Sequence, residues 1–556
     1  MVETTGDAQV EALIQSRFDA WVETWPGQAT RFGLHQHDGR LPDLSRAAIE
    51  ADIAAERDFV RQLEAVEPAI LGEGVAFERE LALHSARLRL FAAEVGRRWE
   101  RTSEATDEIG TALFLLLARE FAPLEERLLS LIARIEGIPV ALRQVRDRLG
   151  PEPVRLWLEQ EQSSAVEMPT LIGAIVAEAA TVWPDGRPEL ARLHVAAARA
   201  ERAFAEYAGW IEEHLTVAGD GTALGASELD HLVELRELER LTTDEILAIG
   251  YEQLEAQHQV RRAAGRAIDA SLSESEVVER VKAEGPADFE TALAAYRDSM
   301  MRARAYIARH ELATLPQGDV LQVLPTPRHL RRVLPLAAYF EPAAFDRPLR
   351  GTYVVTPAVD DDPDAMREHN WASIVNTSVH EAYPGHHLQL SAALATPTPA
   401  RLMTAATEFI EGWAMYCEQM MLEQGFEDSP ERRVVVATDA IWRAARIILD
   451  IQLHRDEVGV DEAVDFLVEH AGFGRPVARA EVQRYTTDPG YNLSYLLGKV
   501  LLLRLRADEQ ARLGESFSLK RFHDALLYSG SLPVSYHRRL LAGEGGGPAA
   551  PVTLDA

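Results

Sequence analysis

The chain has 556 residues, 47% of them hydrophobic, which is typical of a folded globular protein large enough for more than one core. Its 57 basic and 88 acidic side chains give a formal net charge of −31. No dense block of Lys and Arg occurs, which argues against binding to nucleic acid, since phosphate backbones require a basic patch.

Cysteine content, the N-terminal residues and the distribution of apolar residues favour a cytoplasmic location. Cys417 is the only cysteine, so no internal disulfide forms, and this suits a reducing compartment. The first residues lack the basic start and apolar run of a secretory signal. No run approaches the roughly 18 apolar residues of a membrane span. We therefore predict a cytoplasmic protein that does not bind membranes, and the sequence leaves its oligomeric state open.

Helical periodicity dominates residues 1–310, which we expect to form a mostly helical N-terminal part. Apolar side chains recur at the spacing of one helix face, as in residues 8–22. This pattern predicts helices over residues 8–22, 76–100, 112–135, 190–216, 227–263 and 286–312, with a loop at residues 219–225.

Residues 311–540 combine more helices with one strand, and the Gly-rich tail 541–556 is predicted to be flexible. Helices are expected over residues 432–456, 462–470 and 494–513. The β-branched and aromatic residues of 352–356 predict a strand that ends at Pro357. By analogy with peptidases, an exposed edge strand here would bind extended substrate, with Tyr353 as a contact. The alternative is a short structural hairpin.

Residues 380–387, with the sequence His-Glu-Ala-Tyr-Pro-Gly-His-His, carry the strongest chemical signal. Catalytic zinc takes three His or carboxylate ligands and leaves a position for water, whose proton a neighbouring carboxylate accepts. In His-Glu-x-x-His, both histidines lie on one helix face and the Glu is the base. Here His380 and Glu381 supply the first half, but Pro384 occupies the place of the second histidine.

The second ligand must therefore be His386 or His387. On an unbroken helix, a spacing of six residues turns about 600°, and a spacing of seven advances about 10.5 Å. Neither suits two zinc bonds of ~2.0–2.1 Å. Pro384 and Gly385 disrupt helices, so an unwound turn could return His386 to the metal.

The motif resembles that of a bacterial family of unknown function that is treated as metallopeptidase-like. The family signature His-Glu-x-x-Pro-Gly-His-His-Leu-Gln is matched by residues 380–389, and Glu-Gly-Trp-Ala-x-Tyr-x-Glu by residues 411–418. Further similar segments are residues 26–30, 33–35, 38–43, 347–348, 351–355, 488–499, 522–524 and 530–533. Because the resemblance spans almost the whole chain, it implies one interlocked catalytic unit over residues 1–556.

More distantly, the layout is similar to that of the gluzincin peptidases, including thimet oligopeptidase and the angiotensin-converting enzymes. In those, a Gly-His pair ends the first ligand motif, and a Glu on a second helix completes the site. The resemblance implies His380, His386 and Glu411 as ligands of Zn²⁺, and it favours His386 over His387. It also implies a mainly α fold, a large helical zinc-peptidase-like protein with a deep cleft and a small β element.

Carboxylates and tyrosines around the motif are further candidates. Glu408 lies three residues before Glu411 and shares its helix face, so it could hold a ligand imidazole, with a surface carboxylate as the alternative. Tyr491 and Tyr495 are one helical turn apart, and either could donate to the oxyanion of the transition state. In the gluzincin peptidases a C-terminal Tyr or His has this role, and we favour Tyr495 here. The alternative is a buried tyrosine whose hydroxyl bonds another partner.

Arg484 and Lys499 are candidates for binding a substrate carboxylate, although ordinary surface residues are the alternative. Together the features predict a zinc-dependent hydrolase that cleaves amide bonds, a cytosolic peptidase acting on short peptides. One alternative is a metal-dependent amidohydrolase acting on a non-peptide metabolite. Another is a non-catalytic helical binding protein, against which the presence of the base Glu381 stands. The exo- or endopeptidase mode and the physiological metal stay open.

Overall fold

The computed structural model describes residues 5–326, 331, 334, 336–357, 366–395 and 397–544. The chain divides into two compact units. Unit 1 comprises Met1–Thr222 and Ala343–Arg347, and unit 2 comprises Ala223–Pro342 and Pro348–Ala556. The single interlocked catalytic unit stays a prediction. Most of the predicted flexible tail, residues 545–556, lies outside the described residues.

Unit 1 is built from helices. Their bounds are α1 Thr5–Thr24, α2 Pro26–Phe32, α3 Arg46–Glu64, α4 Glu73–Phe91, α5 Arg98–Arg101, α6 Ala105–Ala118, α7 Leu124–Arg148, α8 Arg155–Val182 and α9 Pro188–Leu215. The last four of these helices share a core in which Leu116, Leu131, Ile172 and Phe204 are fully buried.

The predicted helix over residues 112–135 is wrong as a continuous element. Helix α6 ends at Ala118 and α7 begins at Leu124, directly after Pro123. Proline has no N–H and so cannot continue the hydrogen-bond ladder of the helix. The terminal carbonyls of α6 are satisfied instead by Arg127, which donates to the carbonyls of Leu116 at 2.9 Å and Leu117 at 2.8 Å.

Of the helices that the structure describes, α8 alone is long and apolar enough to cross a membrane by length and composition. Core helices of globular proteins meet the same criterion. In unit 1, Leu158, Ile172 and Ile175 of this helix are fully buried in the core. The expectation that the chain binds no membrane therefore stays a prediction.

Unit 2 contains further helices and the strands. The helices are α10 Ala226–Leu235, α11 Thr243–Ile268, α12 Glu274–Ala283, α13 Phe289–Arg309, α14 Trp371–Glu381, α15 His386–Ala393, α16 Pro399–Leu402, α17 Thr407–Glu423, α18 Pro430–His454, α19 Val460–Ala471, α20 Arg475–Tyr485, α21 Ser494–Leu513, α22 Leu519–Leu527 and α23 Val534–Leu541. The strands are β1 Val320–Pro325, β2 Ala337–Phe340 and β3 Arg350–Val355. The predicted mainly α fold with a small β element is confirmed.

The helix predicted over residues 227–263 is two helices. A turn separates α10 from α11, and Glu237, Glu239 and Arg240 adopt positive φ angles of 52°, 53° and 59° within it. Helix α11 then restarts with a capping box, in which Thr242 and Glu245 each bond the backbone N–H of the other. Non-glycine residues rarely adopt positive φ angles, and neither Gly nor Pro marks this turn in the sequence. The spacing of apolar residues therefore did not predict it.

The predicted strand exists as β3, but its assignment as an exposed edge is wrong. The strand order is β1-β3-β2, so β3 is the middle strand, parallel to β1 and antiparallel to β2. Both of its backbone edges are therefore paired within the sheet. The Tyr353 side chain is fully buried, edge-on to Tyr296 with ring centres 5.8 Å apart, and this placement gives no support to a substrate contact.

Helices α17 and α21 cross in close contact in the core of unit 2. A Cβ atom at Gly412 would lie 2.5 Å from the carbonyl carbon of Gly498, and one at Gly498 would lie 1.9 Å from the carbonyl oxygen of Glu408. Trp413 and Cys417 on the same helix are fully buried, which confirms the small buried role predicted for the cysteine. This close crossing fixes the position of α17, which carries Glu411, relative to α21.

Candidate metal centre

The helix that carries His380 and Glu381 ends just before the helix-breaking residues Pro384 and Gly385. Helix α14 begins at the Asn370 cap, whose side chain accepts from the N–H of Ser373 at 2.9 Å, and it ends at Glu381. Gly385 then packs against the helix end so closely that a Cβ atom there would lie 1.8 Å from the carbonyl oxygen of His380. Only glycine fits this position, and the new helix α15 begins at His386.

This interruption brings His386 back to His380. The two rings are nearly perpendicular, at 86°, with centres 4.8 Å apart. Glu411 from α17 joins them, and one ligand atom from each of the three residues lies within 4.8 Å of the others. Oε2 of Glu411 is 4.0 Å from Nε2 of His380 and 3.5 Å from Nε2 of His386.

The three side chains fit a metal ion in type and in spacing. Two imidazoles and one carboxylate are a ligand set found in catalytic zinc sites. Bonds of ~2.0–2.2 Å from each donor to one ion would separate the donors by up to roughly 4 Å. The distances of 4.0 and 3.5 Å from Oε2 of Glu411 to the two histidines agree with this separation. The structure brings His380, His386 and Glu411 together, and their roles as metal ligands stay predictions.

A second carboxylate of α17 orients the first histidine. Nδ1 of His380 donates to Oε1 of Glu418 at 2.7 Å, which leaves Nε2 facing Glu411. Support of this kind fixes the tautomer of a metal-binding imidazole. The hypothesis that Glu408 has this role is wrong, because its Oε2 instead accepts from the Arg236 guanidinium at 2.9 Å.

Charges around the cluster favour a bound cation. Burial lowers the pKa of His380, but the hydrogen bond to Glu418 and the neighbouring carboxylates outweigh it and raise the pKa to about 9. Burial raises the pKa of Glu411, yet the hydrogen bond and charge of His386 bring it down to about 2. Glu411 is therefore ionised at neutral pH, and the excess negative charge would be neutralised by a metal ion.

His387 belongs to a different cluster. Its ring is fully buried, with Nδ1 2.9 Å from the Tyr339 hydroxyl on β2 and Nε2 3.4 Å from Oδ2 of Asp319. Tyr383 donates to the same Asp319 carboxylate. His387 thus ties helix α15 to the sheet, and the structure places His386, rather than His387, in the triad.

Glu381, the predicted base, follows His380 at the end of α14. Its side chain is half-buried, and its carboxylate makes no hydrogen bond or ion pair with any residue that the structure describes. Its charge contributes to the raised pKa of His380. A carboxylate next to the triad with free acceptor oxygens is available for proton transfer.

Tyr491 and Tyr495 are close enough to Glu411 for its charge to act on both phenols. Their hydroxyl oxygens are 3.0 Å apart. Burial raises the pKa of both phenols, and the charge of Glu411 adds to the rise. Both hydroxyls therefore keep their protons at neutral pH and can donate hydrogen bonds.

The predicted carboxylate-binding residues are placed differently from the expectation. Arg484 is exposed and pairs with Glu481 at 2.7 Å. Lys499 is buried on α21, and burial lowers its pKa. The arginine that does lie beside Tyr495 is Arg446, whose guanidinium carbon is 4.8 Å from the centre of that ring.

Sequence reasoning missed Arg446 and its neighbour Arg443. The signal that could have revealed them is the segment Trp442-Arg443-Ala-Ala-Arg446, which places two arginines on one face of an otherwise apolar stretch, residues 440–449. Both guanidinium groups stack on the Trp442 ring, at 3.8 Å for Arg443 and 4.2 Å for Arg446.

Fold and site together define a mainly helical protein with a candidate two-histidine, one-glutamate metal centre. Residues 26–541 match the family described as bacterial protein of unknown function (DUF885), and the chain belongs to this family. A comparison with curated proteins gives no significant match.

The fold is similar to two solved structures. One is a putative lipoprotein of unknown function from Shewanella oneidensis, with a TM-score of 0.78, 19% identity, and coverage of 95% of this chain and 99% of that one. The other is a putative lipoprotein from Colwellia psychrerythraea, with a TM-score of 0.83, 18% identity, and coverage of 98% and 99%. These similarities show that the chain shares the fold of the two proteins.

The predicted cytoplasmic location is contradicted by this finding, because both structural neighbours are described as putative lipoproteins, and lipoproteins are anchored to a membrane. The argument from cysteine content does not discriminate here. A single cysteine that is fully buried, as Cys417 is, needs neither a reducing nor an oxidising compartment.

Proposed function

We propose that this protein is a zinc-dependent hydrolase that cleaves amide bonds and acts as a peptidase on short peptides. The observation that carries the proposal is the convergence of His380, His386 and Glu411, with ligand atoms within 4.8 Å of one another. The Glu418 support on His380 adds to it, as does the Glu381 carboxylate, which pairs with no residue in the described part of the chain.

His380, His386 and Glu411 would hold the zinc ion. When bound, zinc lowers the pKa of water and polarises a substrate carbonyl. Glu381 accepts the proton of the attacking water on its free carboxylate and returns it to the nitrogen that leaves, since an amide nitrogen departs only when protonated. Glu418 keeps the His380 ring in one tautomer throughout.

Tyr495, with Tyr491 beside it, donates a hydrogen bond to the oxygen on which negative charge develops. A donor must still carry its proton when that charge forms. The buried phenols meet this condition because their pKa values lie above the ordinary value. The hydroxyl–hydroxyl contact of 3.0 Å orients one phenol by the other.

Limited access to the cluster supports short peptides as substrates. The side chains of His380, His386 and Glu411 are only 12%, 10% and 16% exposed. A site so enclosed suits a small flexible chain better than the surface of a folded protein. The choice of peptides over other amides rests on the resemblance to gluzincin peptidases.

The proposal is tested with Glu381→Gln, which removes the proton acceptor and leaves the ligand set intact. We expect about one zinc per chain in both proteins by elemental analysis, and loss of peptide cleavage in the variant by mass spectrometry of a short-peptide library. Glu423→Gln, the same change on an exposed part of α17, is the control. Full cleavage by Glu381→Gln, or absence of bound transition metal after zinc is supplied, would overturn the proposal.

A further inference from the structure

Arg443 lies on helix α18 beside Tyr495, the candidate oxyanion donor. Its guanidinium carbon is 5.8 Å from the centre of the Tyr495 ring and 3.8 Å from the centre of the Trp442 ring. The side chain retains 15% exposure. A planar guanidinium that is stacked on an indole is held in one orientation, which lowers the entropy lost on binding a ligand.

Most of the hydrogen-bonding capacity of Arg443 is unused. Among the described residues, its single hydrogen-bonding contact is to Oδ1 of Asp439 at 3.5 Å, the outer limit of a hydrogen bond, and its buried Nε has no hydrogen-bond partner there. Arg446, one turn further along the helix, is different. Its Nη2 pairs with Glu481 at 2.9 Å and its Nε donates to the Tyr485 hydroxyl at 3.2 Å. A guanidinium has five N–H donors, so Arg443 can accept a new anionic partner.

The charge of Arg443 acts on Tyr495 and on Glu418, the carboxylate that supports His380. Burial raises the pKa of the Glu418 carboxyl, but its hydrogen bond to His380 and the nearby charge of Arg443 hold that pKa below its ordinary value. The charge of Arg443 also opposes the rise in the pKa of Tyr495. The charge of Arg443 therefore acts on both Tyr495 and Glu418, and its contact with the Tyr495 ring at 5.8 Å places it beside the candidate oxyanion donor.

We propose that Arg443 binds the free C-terminal carboxylate of a short peptide, and so makes the protein an exopeptidase that acts at the carboxyl end of its substrates. This inference rests on the proposed function and names the substrate class for that site. Arginine recognises a carboxylate with two parallel N–H···O bonds, and such charge-assisted bonds are about twice as strong as neutral ones. Arg443 touches substrate in this scheme and transfers no proton.

A binding experiment tests the inference without requiring turnover. Calorimetry is carried out with the full chain carrying Glu381→Gln, so that the titrant is not cleaved. N-acetyl-Ala-Ala is compared with its C-terminal amide and with N-acetyl-Ala-Glu-amide, which carries its carboxylate on a side chain. We expect the free acid to bind roughly tenfold or more tightly than either amide, as loss of a charge-assisted pair implies.

Arg443→Gln should remove the preference for the acid. Arg443→Lys should keep part of the preference, because lysine retains the positive charge but cannot form two parallel hydrogen bonds. Arg484→Gln, an exposed arginine that pairs with Glu481, is the matched control and should keep the full preference. If Arg443→Gln does not fold, as judged by its circular dichroism spectrum, the partial effect of Arg443→Lys decides.

Three outcomes would overturn the inference: no preference for the acid in the parent protein, an unchanged preference in both Arg443 variants, or equal binding of N-acetyl-Ala-Glu-amide and the free acid. The second outcome would place the carboxylate elsewhere, such as on the metal. Failure of the proposed function has a different signature. It would leave the Arg443-dependent preference in place while the protein with Glu381 intact cleaves no peptide.

Discussion

Nδ1 of His380 lies 2.7 Å from Oε1 of Glu418, which is carried by the same helix, α17, as Glu411. The spacing of seven residues from Glu411 to Glu418 corresponds to about two helical turns, so both carboxylates face the same side. One helix therefore supplies both the carboxylate that faces Nε2 of His380 and the carboxylate that fixes its Nδ1. The geometry of the histidine depends on α17 at both ring nitrogens.

Glu418→Gln should weaken zinc binding by roughly 10–100-fold, the usual effect of removing a carboxylate that supports a metal-binding histidine. The amide keeps the volume of the side chain but loses the charge that holds His380 in one tautomer. Competition with a chromophoric chelator measures the affinity. Glu423→Gln on the same helix removes a carboxylate that pairs with Arg506 at 2.8 Å and should leave the affinity unchanged. Equal affinities in the two variants would contradict the role of Glu418.

His386→Ala and His387→Ala should separate metal binding from stability. His386→Ala removes a member of the triad, so the purified protein should contain little zinc. His387→Ala should retain zinc but lower the free energy of unfolding by about 1–3 kcal/mol, since it leaves the buried Asp319 carboxylate and the half-buried Tyr339 hydroxyl without the imidazole. Elemental analysis and thermal melting give the two readouts. Zinc retained by His386→Ala and lost by His387→Ala would reverse the assignment.

The fold was predictable where local pattern decides it. Apolar spacing of 3.6 residues gave the long helices, and a β-branched segment gave β3. The breaks were missed where other forces decide. Arg127 satisfies the end of α6 from eleven and ten residues away, and the turn before Thr242 requires three non-glycine residues at positive φ. The pairing of β3 on both sides depends on strands that a single segment does not reveal.

The triad was predictable because two of its members lie within one short motif and the third within a second motif. The carboxylate that orients His380 was not predictable in the same way. Glu408 and Glu418 both share the face of Glu411, and the choice between them is made by Arg236, which is 172 positions from Glu408 and binds it at 2.9 Å. Such a contact is set by tertiary packing and leaves no local pattern. The same holds for Arg484, which a nearby carboxylate, Glu481, keeps at the surface.

Gly412→Ala should destabilise the protein, by about 1–3 kcal/mol, because the added methyl group would lie 2.5 Å from the carbonyl carbon of Gly498 and force the two helices apart. Gly209→Ala is the matched control within a helix. Its added methyl group meets no atom within 4 Å, so the change should stabilise α9 by roughly 0.5–1 kcal/mol. Denaturant titration measures both. A Gly412→Ala protein as stable as the parent would show that the crossing tolerates separation.

In unit 1, His35 bridges two carboxylates. Nδ1 lies 2.8 Å from Oδ2 of Asp38, and Nε2 lies 3.0 Å from Oδ1 of Asp346. The ring also stacks on Phe121, with centres 3.7 Å apart. Burial lowers the pKa of His35, but the hydrogen bonds and charges of the two aspartates outweigh it and raise the pKa from 6.5 to about 9.

This shift predicts a pH dependence of stability with a definite sign. The folded-state pKa of His35 is higher than the unfolded value, so folding binds a proton between the two values. The stabilisation is complete below pH 6.5 and is lost as the pH rises through about 9. The melting temperature should therefore fall on His35→Gln at about pH 6, and the difference should shrink at about pH 9.5. His194→Gln, a change at an exposed position of α9, should show no such dependence. A loss that is equal at both pH values would mean that His35 acts through its stacking on Phe121 and not through its charge.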